Sequence, residues 1–86
     1  MIWLEAAEYV KDYQIKIKFN DGLEKIVDLK DVIFNDNRRV FQELKDLVLF
    51  SKVKFNPEFD TIVWPNGADL APEFLYNIKN VETILK

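Results

Sequence analysis

Cysteine and histidine are both absent from these 86 residues. Without cysteine there is no disulfide framework and no thiolate, a composition that suits a reducing compartment. Without histidine there is no imidazole base, no His-ligated zinc and no Ser-His or Cys-His pair, which removes the commonest routes to catalysis in a small protein. Glycine occurs only as Gly22 and Gly67, too far apart to form a phosphate-cradling loop. Neither sign of charge dominates: 12 Lys and Arg against 15 Asp and Glu leave a net −3, with no global field to draw the chain to nucleic acid or anionic lipid. Apolar runs are far too short to span a membrane. The opening MIWLEAAEYV carries Glu5 and Glu8 and no basic leader, so it does not read as a signal peptide. A soluble cytoplasmic protein without a cofactor is expected.

What is present is apolar bulk. Apolar residues make up 49% of the chain, among them seven Phe, three Tyr and two Trp. A chain this short buries only roughly 60 to 65% of its unfolded surface, so large side chains must compensate for modest length. One core and one domain, residues 1–86, are expected.

Tyr13, Ile15, Ile17 and Phe19 alternate with Gln14, Lys16 and Lys18, the pattern of a half-buried strand. Asn20-Asp21-Gly22 then signals a hairpin, and side-chain phase selects its loop. A two-residue Asp21-Gly22 turn would set Phe19 opposite Glu24 and Ile15 opposite Asp28, placing charges on the core face. A three-residue loop with Gly22 at positive φ instead pairs Phe19 with Leu23, Ile15 with Val27, Tyr13 with Leu29 and Lys18 with Glu24. This second register leaves Lys25 on the core side and Ile26 outside.

IWLEAAEYV reads as a preceding strand of ambiguous phase, with Trp3 placed in the core because large aromatics in small proteins are mostly buried. Asp36 or Asn37 is a candidate N-cap for one amphipathic helix through Val40, Phe41, Leu44, Leu47 and Val48. KVKFN and TIVW predict a second hairpin. Pro72 and Glu73 predict a helix start, and Phe74, Leu75, Ile78, Val81, Glu82 and Leu85 continue it to the C-terminus over about 13 residues. The order β-β-β-α-β-β-α predicts an α+β fold in two layers, an antiparallel sheet with two helices on one face.

The most motif-like stretch is TIVWPNGADLAPEFLY. Physically, Trp64 anchors a strand end, Pro65 stops ladder pairing, Asn66-Gly67 makes a tight turn, and Asp69 precedes the helix begun by Pro72, where its carboxylate can accept loop amides. A structural corner is the expected role. The alternative makes Asp69, with Asp60 or Glu73, a carboxylate pair for acid/base chemistry or a cation, which needs further ligands and a cleft. YQIKIKFNDGLEKIVDL, VFQELKD and above all WPNGADLAPEFLY resemble the bacterial family of short domains of unknown function called DUF2442. Phe19, Gly22, Asp28, Leu29, Leu44, Phe50, Trp64, Gly67, Asp69, Pro72, Leu75 and Tyr76 carry the likeness. The resemblance brings no catalytic residues. It implies a stand-alone protein, encoded in some cases beside another small protein in the manner of a toxin-antitoxin pair, or a domain leading a helix-turn-helix, a module absent from these residues.

Four lysines, Lys16, Lys18, Lys52 and Lys54, take the polar phase of their strands and would share one solvent face if both hairpins lay in one sheet. Arg38 and Arg39 stand at a helix start, where cations are disfavoured. These six residues are the candidate partner surface, for a small protein encoded nearby; the alternatives are an anionic ligand on the lysine face and a second copy joined through a strand edge. Nucleic acid is disfavoured, because the strand aromatics take the inward phase and cannot stack on bases.

Overall fold

With two glycines available, the chain turns on aspartate and asparagine. Among the described residues, the side chains of Asp21, Asp28, Asp36, Asp46, Asn56 and Asn66 each accept the backbone N–H two residues on, at 2.8–3.1 Å. Each is an Asx turn, in which a short polar side chain replaces a backbone carbonyl. Asp12 and Asp60 adopt positive φ, 48° and 55°, where glycine is commoner.

The structure, a computed structural model, describes residues 1–78 and the backbone of 80–84. In chain order the elements are β1 (Leu4–Lys11), β2 (Gln14–Phe19), β3 (Glu24–Asp28), α1 (Lys30–Phe34), α2 (Arg39–Glu43), α3 (Leu47–Phe50), β4 (Lys54–Asn56), β5 (Thr61–Val63), β6 (Asp69–Leu70), α4 (Pro72–Asn77) and β7 (Asn80–Ile84). The α+β class and antiparallel pairing are as expected. The single sheet is not: β1-β2-β3-β7 form one sheet and β4-β5-β6 another.

The register argued from Gly22 is present, with Ile15 opposite Val27, Lys18 opposite Glu24, and Phe19 N–H bonded to the Leu23 carbonyl at 2.9 Å. The WPNGAD corner is the same hairpin made again. Trp64 N–H donates to the Ala68 carbonyl (2.9 Å) and Gly67 N–H to the Trp64 carbonyl (3.0 Å), as Gly22 N–H does to Phe19 (3.0 Å). The glycines have φ of 90° and 91°. Apart from the glycine and its two chain neighbours, no atom lies within 4 Å of where a Cβ would stand on either one. Gly22→Ala and Gly67→Ala should therefore each lose about 1 kcal/mol through backbone strain alone. The loops share no partner, so the losses should add in urea unfolding of the double variant.

One core joins all the layers: Leu4, Ile15, Ile17, Phe19 and Val27 from the larger sheet, Ile33, Phe41, Leu44, Phe50 and Leu75 from the helical segments, Ile62, Trp64 and Leu70 from the smaller sheet. An aromatic chain runs through it. Phe50 meets Trp64 at 5.6 Å between centroids, Tyr9 at 6.0 Å and Tyr13 at 5.3 Å, and Tyr13 meets Phe34 at 5.4 Å.

Four expectations are corrected. Trp3 is 40% exposed; an irregularity between Leu4 and Ala6 turns Leu4 inward in its place. The single middle helix is two, because Asp46 leaves helical φ/ψ and caps Val48 N–H to start α3. A further helix, α1, follows the Asx turn at Asp28. The closing helix stops at Asn77, and Asn80–Ile84, with Val81 and Glu82, pairs as a strand with β3; Leu85 lies outside the described residues. Tyr76 and Ile78 carbonyls, which a longer helix would give to residues 80 and 82, accept instead from Lys25 Nζ at 2.8 and 3.1 Å. Pro72 stands in the first turn of α4 with Glu73, as expected.

Candidate functional site: the outer face of the larger sheet

The two-residue period puts Ile15, Ile17 and Phe19 into the core and Gln14, Lys16 and Lys18 on the far side of β2. Across β1, Lys16 faces Glu8 and Lys18 faces Ala6; across β3, Lys16 faces Ile26 and Lys18 faces Glu24. The lysines are thus flanked by carboxylates on both neighbouring strands. Lys16 Nζ lies 3.7 Å from the largely buried Glu24 carboxylate. Ala6, Ala7, Glu8, Lys16, Lys18 and Glu24 line a depression of about 270 Å³. Its cause is local: on this face Ala6 stands opposite Lys18, where a longer side chain would fill the space between β1 and β2.

The four lysines do not gather, because their hairpins belong to different sheets. Lys16 and Lys18 lie on β2, Lys54 lies on β4, and Lys52 is exposed in the turn after α3. Arg38 is engaged locally. Its backbone N–H and guanidinium both bond to Asp36, with Nη2 to Oδ2 at 2.7 Å, and the guanidinium lies 4.6 Å from the Phe41 ring centroid. The Arg38 hydrogen bonds hold the Asp36 carboxyl below its ordinary range, and Arg38 is raised in turn. Asp36 thereby offsets a cation at the start of α2. Arg39 is exposed and makes no ion pair among the described residues.

In the corner, the polar work falls to Asn66. Its Oδ1 accepts Ala68 N–H, and its Nδ2 donates to the Val40 carbonyl and Glu43 Oε1, both at 2.9 Å, tying the hairpin to α2. Trp64 Nε1–H donates to the Phe50 carbonyl at 3.0 Å. Asp69 is exposed, and its carboxylate accepts no hydrogen bond among the described residues; the loop amide of Ala68 goes to Asn66 Oδ1 instead. Asp60 lies in the β4–β5 turn, Asp69 on β6 and Glu73 on α4, and among the described residues no three carboxylates form a metal-binding group.

Two features escaped the sequence reading. The depression depends on Ala6 lying opposite Lys18, and the ambiguous phase of β1 hid that register; its two irregularities lie between Leu4 and Ala6 and between Tyr9 and Lys11. The link from the Tyr76 hydroxyl to Asp21 Oδ2, at 2.6 Å, joins residues 55 apart in sequence and holds the Asp21 carboxyl below its ordinary range. Exposed aromatics also exist, Trp3, Phe34, Phe59 and Phe74, but none belongs to β1, β2 or β3. No described helix is long and apolar enough to cross a membrane.

No curated protein and no solved structure matches the chain. The family model described as "Protein of unknown function (DUF2442)" matches residues 4–80. With nearly its whole length inside that match, hairpins and WPNGAD corner included, the chain belongs to the DUF2442 family.

Proposed function

We propose that residues 1–86 act as a single unit, a non-enzymatic protein-interaction module of the bacterial cytoplasm. It presents the outer face of its larger sheet to another small protein, as an antitoxin or a regulatory partner does. The observation that supports this reading is the depression between β1 and β2, on a sheet face whose opposite side is fixed by the core. Lysines flanked by carboxylates suit a protein surface of mixed charge better than a polyanion, which would meet Glu8 and Glu24 on either side. A face is also better suited than the β1 edge, where two irregularities disturb the strand and Leu4 N–H already bonds to the Asp60 carbonyl at 2.9 Å.

Ala6→Arg fills the depression from an exposed position and should leave the melting temperature nearly unchanged. Affinity capture against the products of neighbouring genes should then show the variant weakened about tenfold or more relative to wild type. A variant that retains every wild-type partner at equal strength rules out the outer face.

A further inference from the structure

Lys16 and Lys18 are neighbours on β2, yet their charges are differently committed. Lys16 is paired with Glu24. Lys18 makes no ion pair among the described residues, and neither does Glu8, although both are exposed and both line the depression. Because Lys18 stands beside Ala6 and Lys16 beside Glu8, Lys18 and Glu8 are diagonal cross-strand neighbours. Diagonal neighbours in an antiparallel pair are roughly 7–8 Å apart. Between them on this face stand the small side chain of Ala6 and that of Lys16, which is held by Glu24.

An extended chain shows every second side chain on one side, and residues two apart are separated by about 6.6–6.8 Å. The two spacings agree. Resting on the reading of this face as a docking surface, we infer that the depression receives an extended segment of the partner protein bearing one acidic and one basic residue two positions apart. The acid meets the Lys18 ammonium and the base meets the Glu8 carboxylate. A segment with two acids would bring one of them against Glu8, and a segment with two bases would bring one against Lys18. The alternating charge of the site therefore selects alternating charge in its occupant.

The probes are four short peptides of threonine and valine that differ only at two positions two apart: aspartate with lysine in either order, two lysines, or two aspartates. Titrated into the ¹⁵N-labelled chain, an opposite-sign peptide should shift the amides of Ala6, Ala7 and Lys18. It should bind about fivefold tighter than the same-sign peptides, the scale of two exposed ion pairs. Glu8→Lys should transfer the preference to the two-aspartate peptide, and Lys18→Glu to the two-lysine peptide. Equal affinity for all four, shifts elsewhere on the protein, or no shift at millimolar peptide overturns the assignment of an opposite-charge segment. That failure is separable from failure of the docking face. If Ala6→Arg still loses its captured partner while no peptide binds, only the segment's chemistry is refuted; if Ala6→Arg keeps all partners, the face itself is.

Discussion

Trp64→Ala should remove about 3–5 kcal/mol of stability, the usual scale for deleting a large buried aromatic. Trp64 is 3% exposed and sits where the smaller sheet meets α3. Its ring lies 5.6 Å from that of Phe50, which in turn touches Tyr9 of β1 and Tyr13 in the turn between β1 and β2. Its indole N–H also satisfies the Phe50 carbonyl, so truncation leaves both a cavity and an unpaired acceptor. A protein of this size has only about 5–15 kcal/mol in total, and each kcal/mol moves the midpoint by about 4–8 °C. Thermal unfolding by circular dichroism should therefore show a drop of about 15 °C or more. Trp64→Phe keeps the ring and loses the donor, and should cost less, about 1–3 kcal/mol. Asp69→Ala, five residues along the same motif but exposed, should stay within about 0.5 kcal/mol. A large loss at Asp69 and none at Trp64 would invert this account of the corner.

Lys25→Met should cost about 1–3 kcal/mol, the scale of charge-assisted hydrogen bonds lost to partly buried acceptors. The glycine-closed hairpin forces Lys25 onto the core side opposite Ile17, and it is only 3% exposed. Its ammonium reaches the end of α4 and donates to the Tyr76 and Ile78 carbonyls. Methionine keeps the apolar stem and removes the donor, so the loss reports the tether more than the packing. Burial holds the Lys25 ammonium below its ordinary pKa of 10.5. Between that lowered value and 10.5 the unfolded chain binds more protons than the folded one, so this residue makes stability rise with pH there. Below the lowered value its contribution is constant. The quantity to measure is the difference between wild type and Lys25→Met in urea unfolding from pH 8.5 to 10.5, in which every group common to both cancels. The gap between them should widen with pH. A gap that narrows, or a variant as stable as wild type at pH 7, would remove Lys25 as the clamp on α4.

Lys25 also marks the limit of reading the chain by pattern. Its placement on the core side follows from alternation and the loop at Gly22, both local. What it does there depends on carbonyls 51 and 53 residues away. The stripe Phe74, Leu75, Ile78, Val81, Leu85 fits a helix, but five-residue stretches such as Asn80–Ile84 fit a strand equally well, and local pattern does not arbitrate. The open side of β3 does, by offering a ladder for Asn80–Ile84. The candidate site divides the same way. That Lys16 and Lys18 face solvent was legible from alternation. That Ala6 and Glu8 stand beside them was not, since the irregularities in β1 reset its phase. Asp46 was legible in principle, a polar N-cap before the apolar run LVLF, but the helical period spanning it was the stronger signal.

What the sequence alone determined, then, is everything that rests on neighbours within a few positions. That covers the absence of histidine and cysteine chemistry, the first hairpin and its register, the tight turn at Asn66-Gly67, and the start of α4 at Pro72. Turn side chains, glycine φ and side-chain alternation act over a few bonds, so they can be read along the chain. Only the tertiary structure decided that the strands part into two sheets, that α4 ends at Asn77, that Trp3 is left at the surface, and that Glu8 and Lys18 flank a depression floored by alanine. Each of those outcomes is a competition between distant groups for the same carbonyl, ladder or core volume, and no local pattern records which of them wins.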